Sequence, residues 1–168
     1  MKKTSKVVSA VLALVLIIGA MFCVSVLADG EGASLGYANV VYGDTISLAF
    51  TVENYTGDGT VGIAVYKNEG DVTPMYVSFD EKELEGVKYF ETFGIAAKDI
   101  DTVYCVAVAE KDADGNVTVV SEKAEYSVAE YANDSLEKED ISDAQKAVYN
   151  ALLNYNKAAD AVIPAAAN

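Results

Sequence analysis

Between residues 34 and 127 apolar and polar side chains alternate with a period of two, the repeat of a strand that buries one face. The clearest run is 45–53, where Ile46, Leu48, Phe50 and Val52 alternate with Thr45, Ser47, Thr51 and Glu53. Weaker runs follow at 61–66, 75–79, 87–93, 103–109 and 117–126, and a first strand fits near 35–42. Between them Asp58-Gly59 and Asp114-Gly115 have the residue types of tight hairpins, since glycine, and aspartate to a lesser degree, tolerates positive φ. Gly43-Asp44 and Glu85-Gly86 punctuate in the same way. About seven short strands, roughly 8 to 12 residues apart with no long helix between them, predict a two-sheet antiparallel sandwich of immunoglobulin or fibronectin type III kind. The immunoglobulin Cys–Trp–Cys signature is missing, because the chain has no tryptophan, and the fibronectin-like variant is therefore favoured.

After Tyr126 the period changes. Ser127-Val128-Ala129-Glu130 is a capping box that opens a short helix, and Ser142-Asp143-Ala144-Gln145 is a second that opens a longer one. Ala144, Ala147, Val148, Ala151, Leu152, Tyr155, Ala158 and Ala159 then fall three and four apart, which predicts one apolar stripe, and Pro164 ends the helix. A stripe of that size must find a surface. The helical tail is expected to pack on the sandwich and cover one flank, leaving ligands to the opposite sheet or to the turns near Asp58 and Asp114.

At the other end of the chain, Lys2, Lys3 and Lys6 precede an apolar stretch over 7–26, and Val26-Leu27-Ala28 gives way to the polar Asp29-Gly30. A basic start, an apolar middle and small residues before a polar boundary make a secretory signal, with cleavage between Ala28 and Asp29. About 20 apolar residues would also span a bilayer, but an anchor does not need the cleavage signature. The expected layout is a signal peptide at 1–28, a β-sandwich at 29–127, a helical tail at 128–163 and a disordered end at 164–168.

Export sharpens the charge. The whole chain carries −14, with 26 acids against 12 lysines and no arginine; removing three lysines and no acid with the leader gives −17. Such a surface repels phosphate backbones and anionic headgroups, so nucleic acid and, after cleavage, membrane are excluded as partners. Cations and basic surfaces are favoured. Loss of Cys23 with the leader leaves Cys105 alone and forbids an intrachain disulfide; its place in a strand-like run marks it as a buried, inert thiol.

The chain has no histidine, which removes imidazole bases, histidine triads and ordinary zinc sites. Carboxylate pairs could cleave glycosides, but an acidic chain offers too many to single one out, and no catalytic residue is assigned. Asp112, Asp114 and Asn116, followed by Thr118, form an oxygen-rich run that could hold calcium weakly. Against the metal, glycine is fourth and Lys123 twelfth, which does not fit an EF-hand, and a hairpin turn explains the same residues. Among the 11 tyrosines, Tyr42, Tyr55, Tyr66 and Tyr76 are candidate surface rings for stacking on sugars, whereas Tyr126, Tyr131, Tyr149 and Tyr155 belong where sheet and tail meet.

Gly94-Ile95, Tyr126-Ser127-Val128, Tyr131-Ala132, Leu152-Leu153-Asn154-Tyr155 and Ala158-Ala159 occur in an order that resembles the C-terminal segments of secreted and surface proteins from clostridial-type Gram-positive gut bacteria. In those, a β-domain ends in Tyr-Ser-Val and runs into a helical tail with a Leu-Leu-x-Tyr-x-x-Ala-Ala pattern. The likeness covers about half of the mature chain. Family members commonly carry glycine after the second tyrosine, where this chain has Asn156. What the resemblance implies is location and architecture, with no activity or catalytic residue attached. The expectation is a secreted, non-catalytic module that binds glycan or protein at the cell surface, with a small acidic extracellular hydrolase as the alternative.

Overall fold

A computed structural model describes residues 32–43 and 45–162. The expected cleavage site at Ala28 and Asp29 and the expected disordered end at 164–168 lie outside the described residues. Among the described residues nine strands, one 3-10 turn and two helices follow in order: β1 (Ser34–Tyr42), β2 (Ile46–Glu53), β3 (Thr60–Tyr66), β4 (Tyr76–Ser78), β5 (Glu81–Leu84), β6 (Val87–Glu91), the turn (Ala97–Asp99), β7 (Tyr104–Lys111), β8 (Val117–Val119), β9 (Ala124–Tyr126), α1 (Val128–Leu136) and α2 (Asp143–Val162). All strand pairs are antiparallel. One sheet has the order β1-β2-β6-β5; the other has β4-β3-β7-β8, with β9 also on β7.

Two departures from the expected seven strands have local causes. The expected run 117–126 is two strands in series along β7, β8 opposite residues 109–111 and β9 opposite 104–106. Between them the Ser121 hydroxyl accepts from the Val108 amide at 2.8 Å and interrupts the ladder. Strand β5 has the sequence Glu-Lys-Glu-Leu, which offers almost no apolar alternation to read. It forms because Glu85 and Gly86, at φ 51° and 85°, make the two-residue turn whose twist suits a hairpin, pairing Leu84 with Val87. Charged side chains suit an edge strand, since they discourage further pairing. Here Lys82 meets Glu91 at 2.9 Å and Lys88 meets Glu81 at 2.7 Å.

Leu48, Phe50 and Phe90 from the first sheet and Ile63, Val65, Tyr104 and Val106 from the second share one buried cluster. Val128, Tyr131, Tyr149 and Leu152 of the helices belong to the same cluster, so sandwich and tail have one core. A smaller cluster, Ala64, Tyr66, Cys105, Ala107 and Ala109, lies on the other face of β3 and β7. Val77 and Phe79 pack on it, and Lys123 Nζ stands 3.9 Å from the Tyr66 ring centre.

The capping box at Ser142 forms in full, and at Ser127 the serine half of the box forms. Ser127 Oγ accepts from the Glu130 amide at 3.0 Å, while Ser142 and Gln145 exchange bonds of 2.8 and 3.3 Å. The buried face of α2 is nevertheless not the expected stripe. Tyr149, Leu152 and Asn156 are buried and Val148 and Leu153 half-buried, but Ala144, Ala147, Ala151, Tyr155 and Ala158 are exposed, Tyr155 at 60%. The helix is turned toward the side that carries its larger groups. Alanine costs little in water or in a core, so the alanines did not fix the orientation; Tyr149 and Asn156 did. The Tyr149 ring packs edge-on against Tyr131 at 6.0 Å, and Asn156 Nδ2 donates to the Ala97 carbonyl at 3.1 Å. Helix α1 meets β1, where the Tyr131 hydroxyl donates to Asn39 Oδ1 at 2.7 Å, and the Ala129 amide donates to the Ile100 carbonyl.

Candidate functional site

Strand β1 ends one sheet and β9 lies at the end of the other, so the two edges border the same flank of the sandwich. The second half of β1, from Asn39 to Tyr42, is taken by the tail through Tyr131 and Tyr149. Beside its first half is a cavity of about 130 Å3, bounded by residues 33–38 of the β1 segment, by 121–126 and by α1. Gly36 and Tyr37 occur where the register of β1 against β2 breaks, between Leu35 and Ala38. The Tyr37 amide turns to Thr51 Oγ1 at 2.7 Å, and a Cβ on Gly36 would strike that same threonine, so the break needs glycine.

The floor is apolar. Phe50, 2% exposed, and Tyr126 meet edge-to-face with ring centres 5.8 Å apart, and Leu35 and Ala38 complete the surface. The rim is acidic: Glu122, Glu125, Glu130 and Asp134 line it together with one cation, Lys123. That lysine is committed elsewhere, donating to the Glu69 and Asp71 carbonyls at 2.7 and 2.6 Å while covering the Tyr66 ring. The salt bridges Lys82–Glu91, Lys88–Glu81 and Lys98–Asp99 lie away from the four rim carboxylates. Burial, and then the Asp134 and Glu130 charges, push the Tyr126 hydroxyl up to about 12. Chemically the site offers a greasy aromatic base under an excess of negative charge.

The residues expected to bind lie elsewhere. Asp112 sits in the β7–β8 turn with its carboxylate used internally: Oδ1 accepts from the Asp114 and Asn116 amides at 2.9 and 2.8 Å, and Oδ2 from Asn116 Nδ2 at 2.8 Å. These bonds, the Asn116 side chain first, hold its carboxyl below the usual range. Among the described residues no group of three or more acids or cysteines is placed to hold a metal ion. Of the four candidate sugar platforms, Tyr66 is buried at 2% exposure under Lys123, and the Tyr42 hydroxyl is buried without a partner. Tyr76 is half-buried against Phe93, and Tyr55 is half-buried with its hydroxyl on the Gly59 carbonyl at 3.0 Å. Flat sugar faces need open rings; Tyr66 is closed off, and Tyr55 and Tyr76 are half-buried. Cys105 is buried and free, and burial pushes its thiol up, away from the thiolate.

Sequence reasoning missed the rim acids because in an acidic chain they resemble a solvated face. One signal was available: Glu130 and Asp134 are four apart on α1, whose buried residues are Val128, Tyr131, Ala132 and Ser135. Like charges at that spacing repel, which marks the pair as unusual in a helix this short. No protein-family model, curated protein or solved structure matches this chain.

Proposed function

We propose that the chain is an exported β-sandwich module that works by binding at the cell surface or near it, and that it is not an enzyme. The observation that carries the reading is the cavity at the β1–β9 flank, an aromatic floor bordered by four carboxylates and a single lysine, Lys123, that donates to carbonyls elsewhere. The basic start, apolar stretch and boundary at Ala28 support export, and the resemblance to clostridial-type surface proteins points to the same location. For the fold we propose an immunoglobulin-type arrangement in place of the fibronectin-like variant that the missing Cys–Trp–Cys signature favours. The order β1-β2-β6-β5 corresponds to strands A-B-E-D and β3-β7-β8/β9 to C-F-G, with β4 as an added strand beside C. Fold does not decide activity.

Two measurements test the proposal. Mass spectrometry of culture medium is expected to find a chain that starts at or next to Asp29; an intact Met1 in the membrane fraction would refute export. Purified protein incubated with plant and mucin polysaccharides is expected to release no reducing ends. Release of sugar that is abolished by Glu130→Gln or Asp134→Asn would make the chain the small acidic hydrolase instead.

A further inference from the structure

We propose that the cavity takes a single basic side chain from an extended segment of a partner protein, with that segment lying along the open edge of β1 or β9. The inference rests on the reading of the chain as a binding module and names what the module binds.

Size comes first. A cavity of about 150 Å3 holds a benzene-sized body, and sites for drug-sized ligands run to about 300–1,000 Å3. At about 130 Å3 this one matches a single side chain in size. Its layering suits a lysine, whose methylene stem prefers apolar surface while the charged head stays at the rim. Phe50 and Tyr126 supply the surface, and Glu130 and Asp134 the countercharge. Those two carboxylates are four residues apart on one helix and repel each other; a cation between them removes the repulsion. Among the described residues Lys123 is the lysine that lines the cavity, and its Nζ donates to two carbonyls of the β3–β4 loop.

The surroundings select the form of the ligand. Among the described residues β1 pairs with β2 alone and β9 with β7 alone; the tail takes the second half of the β1 edge, which leaves its first half, beside the cavity, and the outer edge of β9 for backbone pairing. Adding a strand to such an edge gives affinity through the main chain and specificity through a pocket for every second side chain. With −14 on the whole chain, a basic partner is also the one that long-range attraction delivers.

The test uses an acetylated, amidated pentapeptide with lysine at its centre between threonine and valine, and the same peptide with norleucine, which keeps the stem and loses the charge. Calorimetry at low salt is expected to show the lysine peptide binding about tenfold or more tighter than the norleucine peptide, with the difference shrinking as salt rises. The double variant Glu130→Gln, Asp134→Asn is expected to erase that difference. The Ser127 cap accepts from the backbone amide of residue 130, which Gln retains, and an unchanged melting curve will establish that the variant is folded. Equal binding of the two peptides, no binding of either, or an unaffected double variant overturns the inference. Should the lysine peptide fail while a mucin or plant glycan binds without being cleaved, the basic-segment inference falls and the binding-module reading stands. Cleavage of the glycan removes the module reading itself.

Discussion

Leu152 and Tyr155 are three residues apart on α2, and their sequence roles are alike, yet one is 6% exposed and the other 60%. Replacing Leu152 by alanine leaves a hole among Val128, Tyr131 and Tyr149 and is expected to cost about 2–5 kcal/mol. Tyr155→Ala is expected to stay within about 0.5 kcal/mol; urea titration of the two variants separates the structure from the predicted stripe, which would make both costly. At the β7–β8 turn, the Asp112 oxygens already accept three bonds from residues 114 and 116. Adding millimolar calcium, against chelator at matched ionic strength, is therefore expected to leave the melting temperature unchanged. A rise would mean that the metal displaces those bonds and stabilises the fold by linkage. Single residues were the least legible scale in the sequence. Large alternating side chains such as Leu48 and Phe50 announced their burial, whereas tyrosine and alanine, at ease in either environment, did not.

Element by element, the seam between sheet and tail is built from phenols. Burial pushes the hydroxyls of Tyr42 and Tyr131 well up, and that of Tyr126 to about 12, against about 10 in an open chain. Below pH 10 both folded and unfolded chains keep these protons and stability is full. Above it the unfolded chain ionises first, so the folded state loses ground as pH rises. The urea midpoint is expected to fall steeply above about pH 10, with tyrosinate absorbance appearing together with unfolding, and Tyr126→Phe is expected to make the fall shallower. The β5–β6 hairpin is a second case. Gly86 at φ 85° has no room in conformational space for a side chain, and Gly86→Ala is expected to cost about 1–2 kcal/mol by thermal melt. The dipeptide Glu85-Gly86 was readable as a turn, although the strand before it was not. Turn chemistry is local, but a strand of three charged residues and one leucine is stabilised by its neighbour β6, which no local pattern displays.

For the whole molecule, the two-sheet architecture was legible because period-two alternation is a statement about layers, and capping boxes at Ser127 and Ser142 fixed where the layers stop. The cavity was not, since it arises from the meeting of residues 33–38 with 121–126 and 130–134, segments that are distant in sequence. Chain order has a further consequence. Among the described elements β1 is made before all the others and α2 after them, while α1 and α2 are what occupy the second half of the β1 edge. During synthesis, or in any product cut before Val128, a nine-residue strand has nothing along that side. A bare edge of that length is a template for another chain. Products ending at Ser127 are therefore expected to form β-rich aggregates, visible by light scattering under conditions where the full chain stays dispersed. The helices at the end of this sequence thus act as a closing clasp, and the vulnerable interval for each molecule lasts from the emergence of its first strand to that of its last helix.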